Sequence, residues 1–430
     1  MNQLLSRRRR WLFRLFVLAA CLILAELLAT AWLKIIMPGN NTASLRIRQA
    51  QIASGATSSD GAAETIHPFL GWVHNPQLAV PELIDGRQAP TNSLGFRDDG
   101  PSVLKRNPAE LIIGITGGSV AWRFSWEAED RLRKRLAAVP ELSARRLRII
   151  RLALPGYKQP QQLFSLSYVL ALGGEFDAIV NLDGFNDSVL AVMENAQQGT
   201  AIDYPRSWHA RSLVITDPRQ SSDAWQLLSL RAARQARART ALNSPLRFSS
   251  LFQLIWIARD EYAHSKLLEL AQTVSRSRRD SFVHHGPTPP AQEHLANIAA
   301  LDLWERCSRQ MHDICLAQGI AYVHALQPSQ YLPGSKTFSQ TEQDYCLTPE
   351  QPHATLAANL FPLLQQRGQQ LTDSGVAFVD LTGLFRDRNE PLYSDPWCHV
   401  NAAGNQLFAD ALAPAIIAQL LKSAGGKSQP

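Results

Sequence analysis

The chain has 430 residues, 45% of them hydrophobic and 19% charged, which is enough for one large globular domain or for two. The formal net charge of +6 is concentrated in residues 1–38, where six basic residues face one acidic residue. The rest of the chain is close to neutral, and this argues against a nucleic-acid-binding protein.

The first predicted element is a membrane helix. Four arginines at 7–10 precede a mostly apolar stretch from Leu15 to Leu33. As a helix this stretch is about 28 Å long, close to the hydrocarbon thickness of a bilayer. Basic residues before the span predict a cytoplasmic N-terminus, with the body of the protein outside the inner membrane, in the periplasm.

Two features of residues 1–38 leave alternatives open. Small residues at 29–31 resemble a signal-peptide cleavage site, but apolar residues continue through Met37, which favours an uncleaved anchor. Glu26 interrupts the apolar stretch, where a carboxylate either destabilises the span or marks a contact with another helix.

A flexible linker is predicted over residues 39–65, which are rich in Ser, Ala, Gly, Thr and Asn and have no sustained apolar period. One organised domain is predicted over 66–425. Within it, residues 190–292 form a long polar segment, which is predicted to be a helical insertion over or beside the edge of the sheet. The adjacent histidines at its end, His284 and His285, are interpreted as a surface loop rather than metal ligands, because no third ligand lies nearby.

From residue 111 onward, short apolar runs alternate with helical segments. The predicted strands are 111–116, 147–153, 177–182, 320–326 and 376–380. The predicted helices are 125–139, 159–173, 293–318, 353–373 and 402–422. Strands separated by helices of this length predict an α/β fold with a parallel sheet and helices on both faces.

Polar and glycine residues follow the predicted strands at the edge where ligands bind in open α/β sheets. Ser119 follows the first strand, Gly156 the second and Asn186 the third, while His399 lies in a late loop. Acyl transfer through serine needs a base with a pKa near neutrality and donors for the developing oxyanion. These residue types therefore predict a serine-dependent acyl-transfer site.

The order of these blocks resembles the SGNH hydrolases, the GDSL-type esterase superfamily, over about residues 92–422. The blocks are "TGGSVA", "PGY", "DGFND" and "DPWCH". The resemblance implies a three-layer α/β/α domain. It implies that Ser119 is the nucleophile, that Ser119, Gly156 and Asn186 supply the oxyanion hole, and that His399 is the base.

Two positions depart from the family's pattern. Gly118 stands where the commonest form has aspartate, and Asp395 precedes His399 by four residues where the family has D-x-x-H. Either the loop bulges by one residue so that Asp395 still orients the imidazole, or a backbone carbonyl does so.

A wider resemblance, carried by "HPFLGWVHNP", "TNSLGFR" and "LQPSQY", is to membrane-anchored SGNH proteins of bacterial envelopes. Some of these add or remove acetyl groups on exported polysaccharides. It implies an esterase or O-acetyltransferase acting on such a polysaccharide beside synthesis or export proteins. Asn92 and Arg97, in the loop before the serine, are candidate substrate-binding residues or have a purely structural role, and Gln327, at the end of the fourth predicted strand, is a further candidate for substrate binding. No metal or other cofactor is expected, and the alternative function is a non-catalytic scaffold or polysaccharide-binding component.

Five cysteines are compatible with an oxidising compartment. Cys21 lies in the membrane segment, and Cys307 and Cys315 lie too far apart on one helix to bridge each other. Cys346 and Cys398 are predicted to form a disulfide that braces the loop of His399.

Overall fold

The structure is a computed structural model that describes residues 2–37, 41–54, 64–77, 82–84, 86–212, 221–277 and 282–425. The chain divides into two compact units. The first unit comprises residues 1–63 and 214–278, and the second comprises residues 64–213 and 279–430.

Helices and strands alternate through most of the second unit, and the described part of the first unit is helical. The helices are α1 (Asn2–Ile35), α2 (Thr42–Ser54), α3 (Ser119–Glu127), α4 (Glu129–Ala137), α5 (Gln161–Ala171), α6 (Trp208–Arg211), α7 (Ser221–Asn243), α8 (Ser250–Ser277), α9 (Phe282–His285), α10 (Glu293–Ala317), α11 (Gln340–Tyr345), α12 (Pro352–Asp373) and α13 (Ala402–Gly425). The strands are β1 (Glu64–His67), β2 (Gly71–His74), β3 (Glu82–Ile84), β4 (Arg87–Ala89), β5 (Glu110–Gly117), β6 (Arg146–Arg151), β7 (Ala178–Asp183), β8 (Ala321–Leu326) and β9 (Ala377–Asp380). A π-helical segment, Asn186–Asn195, follows β7.

The central sheet of the second unit has five strands in the order β6-β5-β7-β8-β9, and every neighbouring pair is parallel. These are the five predicted strands, each confirmed to within two residues at either end. The short strands β1 to β4 form two separate antiparallel pairs.

Alternate residues of the central strands pack into two different apolar cores. Ile112 and Ile179 belong to one core together with residues of α5, α10 and α12. Ile113 and Val180 belong to the other, with residues of α3, α4 and α13. Because neighbouring residues of a strand point to opposite faces, the sheet has an apolar core on each face.

The strand order places β6 on one side of β5, and β7, β8 and β9 on the other. The chain therefore reverses its winding direction at β5 and β7. In doubly wound sheets, the crevice outside the carboxyl ends of the strands at this switch point is where ligands bind.

The described part of the first unit is helical, and one of its helices is apolar over most of its length. The part of α1 from Arg9 to Ile35 is 27 residues long with a mean hydropathy of 2.4. Among the described residues it is the one helix long and apolar enough to cross a membrane. The predicted contact at Glu26 is present, because the Ser249 hydroxyl donates a hydrogen bond of 2.7 Å to its carboxylate.

The predicted linker and insertion are partly wrong. Residues 42–54 form the helix α2 rather than a flexible linker, because buried Leu45 and Ile52 pack into an apolar cluster with Ala238. The helices α7 and α8 have the helical character predicted for this part of the insertion, but they group with the N-terminal helices in the first unit instead of with the sheet.

The prediction of a surface loop at His284 and His285 is also wrong. Both histidines end α9 and are buried. Nδ1 of His284 lies 2.7 Å from the Ser212 hydroxyl, and the His285 ring stacks on His209 with centroids 6.2 Å apart. The segment 200–212 thus supplies the polar and aromatic partners that make this burial possible.

Candidate active site

Ser119 lies at the turn from β5 into α3, at the carboxyl end of the sheet. It is the first residue of α3, and the strand before it ends at Gly117. The N-terminus of a helix carries unsatisfied N–H groups and a partial positive charge. A negative charge that develops at Ser119 is therefore stabilised by the position of the residue in the fold.

Both positions before the serine leave little room for a side chain. Gly117 has a φ of +142°, and a Cβ there would lie 2.1 Å from the Leu182 carbonyl oxygen. A Cβ on Gly118 would lie 2.2 Å from Nδ2 of Asn186 and 3.1 Å from the Tyr157 carbonyl oxygen. A side chain at 118 would therefore displace the Asn186 amide.

Ser119, His399 and Asp395 form one continuous hydrogen-bonded chain. Nε2 of His399 lies 2.6 Å from the Ser119 hydroxyl oxygen, and Nδ1 lies 2.5 Å from Oδ2 of Asp395. All three side chains are partly buried. The imidazole can take a proton from the serine at one nitrogen while the carboxylate fixes its tautomer at the other.

The loop of residues 393–400 absorbs the extra residue between Asp395 and His399. Cys398 has a φ of +64°, a left-handed conformation that is unusual for a residue with a side chain. The loop closes on itself, because the Ser394 N–H donates a 3.0 Å hydrogen bond to the His399 carbonyl oxygen and Tyr393 pairs with Val400. The bulge carries the Asp395 carboxylate to the imidazole, so no backbone carbonyl is needed to orient the ring.

The Asp395 carboxylate is held in its charged form. Burial acts to raise its pKa, but hydrogen bonds from His399 and from the Trp397 N–H, at 2.8 Å, outweigh burial. The pKa of Asp395 is therefore below its ordinary value of 3.8. A carboxylate that remains ionised at neutral pH would stabilise positive charge on the adjacent imidazole.

Side chains from two other segments brace this loop. Nε2 of Gln330 donates to the Asp395 carbonyl oxygen at 2.8 Å, and the Tyr331 hydroxyl donates to that of Pro396 at 2.9 Å. The buried carboxylate of Glu342 accepts the N–H groups of Leu392 and Tyr393 at 2.9 and 3.1 Å. Sequence reasoning missed these braces, although Gln330 and Tyr331 belong to the "LQPSQY" block that it singled out.

Asn186 and the Gly156 turn lie beside Ser119. Nδ2 of Asn186 donates a 2.9 Å hydrogen bond to the Tyr157 carbonyl oxygen, one residue after Gly156. A Cβ on Gly118 would lie closest to the same amide nitrogen and near the same carbonyl oxygen. The turns that follow β5, β6 and β7 therefore meet beside Ser119.

A buried carboxylate ties the Gly156 turn to the Asn186 turn. Oδ1 of Asp187 accepts the Gln159 N–H at 2.6 Å, and Oδ2 accepts the Gly184 N–H at 3.1 Å. Burial raises the pKa of Asp187, and the neighbouring charge of Asp183 raises it further. Burial also lowers the pKa of Lys158 to about 8. These groups lie beneath the crevice and position its backbone.

An aromatic wall borders the crevice on the side of the His399 loop. Trp397 is 39% exposed and stacks on His353 with ring centroids 4.3 Å apart. Phe185, the residue before Asn186, meets Trp397 edge-on at 6.3 Å. An exposed indole in this position offers an apolar face that a ligand could contact. Trp397 belongs to the "DPWCH" block, so the sequence signal that identified His399 could also have identified this indole.

The three candidate substrate-binding residues have different surroundings. The Asn92 side chain holds its own loop, since Oδ1 accepts the Leu94 N–H at 3.0 Å and Nδ2 donates to the Ser102 hydroxyl at 2.8 Å. Arg97 is buried and donates to the Ala89 carbonyl oxygen at 3.3 Å. Gln327 is buried immediately after β8. Its side chain packs near Gly184, because a Cβ added to that glycine would lie 3.7 Å from Cγ of Gln327.

The predicted disulfide between Cys346 and Cys398 is wrong, because both are free thiols. The Cys346 thiol donates to the Tyr393 carbonyl oxygen at 3.4 Å, and the Cys398 thiol lies 3.6 Å from the Ser329 hydroxyl. Each thiol thus has its own polar partner. Burial raises the pKa of Cys398 to about 12, so it stays protonated at neutral pH.

Within the ranges that the structure describes, no three His, Cys, Asp or Glu side chains are grouped to hold a metal ion. No protein-family model matches the chain, and no curated protein matches it at a significant level. The geometry of the crevice and the sequence blocks that form it are therefore the basis for assigning a function.

Proposed function

We propose that the protein is an SGNH-type serine esterase or O-acetyltransferase with a three-layer α/β/α domain. The observation that carries the proposal is the hydrogen-bonded chain from Ser119 through His399 to Asp395, at 2.6 and 2.5 Å. It lies at the switch point of a parallel sheet, beside the predicted oxyanion donors. This arrangement has the nucleophile, the base and the orienting acid that acyl transfer requires.

In the proposed reaction, Ser119 Oγ attacks the carbonyl carbon of an ester while its proton passes to His399 Nε2. The oxyanion is stabilised by the N–H groups of Ser119 and Gly156 and by the amide of Asn186. The intermediate collapses when His399 gives that proton to the departing alcohol, which leaves an acyl-serine. Water or a sugar hydroxyl then attacks the acyl group while His399 takes its proton. The second intermediate collapses when the acyl–Oγ bond breaks and His399 returns that proton to Ser119 Oγ, so hydrolysis and transfer share every group named here.

We propose an acetylated polysaccharide of the cell envelope as the substrate and the periplasm as the location. The resemblance to envelope proteins supports the substrate class, and the exposed Trp397 beside His399 supplies an apolar face for a sugar ring. The apolar helix Arg9–Ile35, preceded by arginines, supports a single-pass inner-membrane anchor with the sheet domain outside the cytoplasm.

The alternative is a non-catalytic scaffold or polysaccharide-binding component. Its one supporting feature in the sequence was the off-pattern spacing of Asp395 and His399. The left-handed Cys398 accommodates that spacing, and the carboxylate lies 2.5 Å from the imidazole. This geometry favours the enzyme over the scaffold.

Labelling with a fluorophosphonate tests the proposal, because the probe reacts with an activated serine hydroxyl. The wild-type chain should be labelled in proportion to probe concentration, whereas Ser119→Ala and His399→Ala should not. Ser143→Ala is the matched control, since Ser143 is exposed and its hydroxyl donates to the Pro140 carbonyl oxygen at 2.8 Å. Equal labelling of wild type and Ser119→Ala would overturn the proposal.

A further inference from the structure

The first unit contains a charged residue in the middle of its apolar helix. Glu26 lies about 13 Å of helix from Ile35, well inside the span Arg9–Ile35. A carboxylate at that depth in a bilayer is unfavourable unless hydrogen-bond donors satisfy it. The source of those donors therefore shows which part of the chain lies at the same depth.

The N-terminus of α8 supplies the donors. The carboxylate of Glu26 accepts the Ser249 hydroxyl at 2.7 Å, the Leu251 N–H at 3.2 Å and the Ser250 N–H. One turn further along α1, the Thr30 hydroxyl donates to that of Ser250 at 2.8 Å. Backbone N–H groups at a helix start lack partners within the helix and carry its positive dipole end, so acid and helix end satisfy each other.

The first turns of α8 run along α1 through apolar residues. Leu33 of α1 belongs to the same buried cluster as Trp256 and Ile257 of α8. A buried pair between Arg234 and Asp260, at 2.7 Å, follows immediately after this stretch. The segment from Ser250 to Ile257 thus accompanies the part of α1 that begins at Glu26 and leads toward Ile35.

The loop before α8 exposes large apolar side chains. We define the α7–α8 tip as residues 244–249; in it Leu246 is 58% exposed and Phe248 is 62% exposed. The guanidinium groups of Arg46 and Arg247 lie 4.6 and 5.0 Å from the centre of the Phe248 ring. Exposed apolar groups of this size suit lipid rather than water, and the two guanidinium groups lie over the Phe248 ring while their long side chains can extend toward the lipid phosphates.

We infer that the α7–α8 tip is inserted into the bilayer, in the leaflet that holds the C-terminal half of α1. This inference rests on the proposed membrane anchoring by α1. The occupant of the exposed surface is lipid because the tip adjoins Glu26, and the surrounding surface of α1 is itself apolar and exposed. The first unit is thus held in the membrane by a helical hairpin as well as by α1.

Depth-dependent fluorescence quenching tests the inference on the full chain in phosphatidylethanolamine–phosphatidylglycerol vesicles. In a Cys21→Ala background, a nitrobenzoxadiazole dye is attached to Phe248→Cys or, if that variant fails to fold, to Leu246→Cys. Ser265→Cys is the control; it is exposed on the same helix, about 22 Å beyond Ser250. The dye at 248 or 246 should be quenched several-fold more by doxyl-labelled lipid than by aqueous iodide. The dye at 265 should be quenched several-fold more by iodide than by doxyl-labelled lipid.

Three results would overturn the inference. Iodide access at the tip equal to that at 265 would place the tip in water, and protection from both quenchers would place it against protein. Failure of the chain to float with vesicles would refute the anchor as well, whereas flotation with an iodide-accessible tip refutes only the inserted hairpin. Glu26→Ala should increase iodide quenching at the tip at least two-fold if Glu26 holds the hairpin at its depth.

Discussion

The substitution Gly118→Ala tests the crevice at its most crowded point. The added Cβ would lie 2.2 Å from Nδ2 of Asn186, and contacts of this kind do not fall below 3.0 Å, so the amide must retreat by about 0.8 Å. Its 2.9 Å hydrogen bond to the Tyr157 carbonyl oxygen would then break, and the amide would leave the oxyanion position. Loss of one such donor lowers kcat by about 10²–10³-fold, or about 3 to 4 kcal/mol in the barrier.

The assay is the initial rate of p-nitrophenyl acetate hydrolysis, with thermal unfolding measured in parallel. Gly383→Ala is the control, because a Cβ there meets only the end of the Arg386 side chain, at 3.4 Å. Since the substitution acts through Asn186, the double variant Gly118→Ala/Asn186→Ala should be no slower than Asn186→Ala alone. A wild-type rate for Gly118→Ala, or losses that add in the double variant, would refute this reasoning.

Three further predictions follow from the same geometry. Asp395→Asn should lower kcat about 10³–10⁴-fold by favouring the wrong imidazole tautomer, whereas exposed Asp387→Asn should not; near-normal rates would contradict the orienting role. The pKa of Asp395 is lowered in the folded chain, so its contribution to stability should be present at neutral pH and lost as pH falls from 3.8 through that lower pKa. The free energy of unfolding of Asp395→Asn should therefore vary less with pH over this range than that of the wild type. Trp397→Ala should raise KM for an acetylated polysaccharide with kcat for p-nitrophenyl acetate unchanged, and equal effects on both substrates would argue against a sugar-binding indole.

The sheet and most of the crevice follow from local sequence patterns. The five central strands are short β-branched or apolar runs bounded by turn residues, and the periods of 2 and 3.6 distinguish them from the helices. Ser119, Gly156 and Asn186 each follow a strand, so a parallel sheet alone is enough to bring them to one edge. His399 needs tertiary structure as well, because its loop reaches Ser119 across 280 residues of sequence.

The features that sequence reasoning missed depend on long-range packing. Residues 42–54 have no apolar period, yet they form α2 because Leu45 and Ile52 bury against α7 and α8. His284 and His285 are buried by partners in 200–212, which no local pattern reveals. Cys346 and Cys398 occur in loops where a disulfide could form, but each thiol lies against a different oxygen. The left-handed conformation of Cys398 belongs to the bulge that carries Asp395.

The most direct test of the central claim is the site of covalent acylation. The wild-type chain is incubated briefly with an activated acetyl ester, quenched in acid and mapped by peptide mass spectrometry, beside Ser119→Ala and Ser143→Ala. The account predicts one acetyl group on the peptide that contains Ser119, in wild type and Ser143→Ala only, with turnover abolished in Ser119→Ala. Turnover that persists in Ser119→Ala, or acetylation at another residue that is chemically competent for turnover, would contradict it.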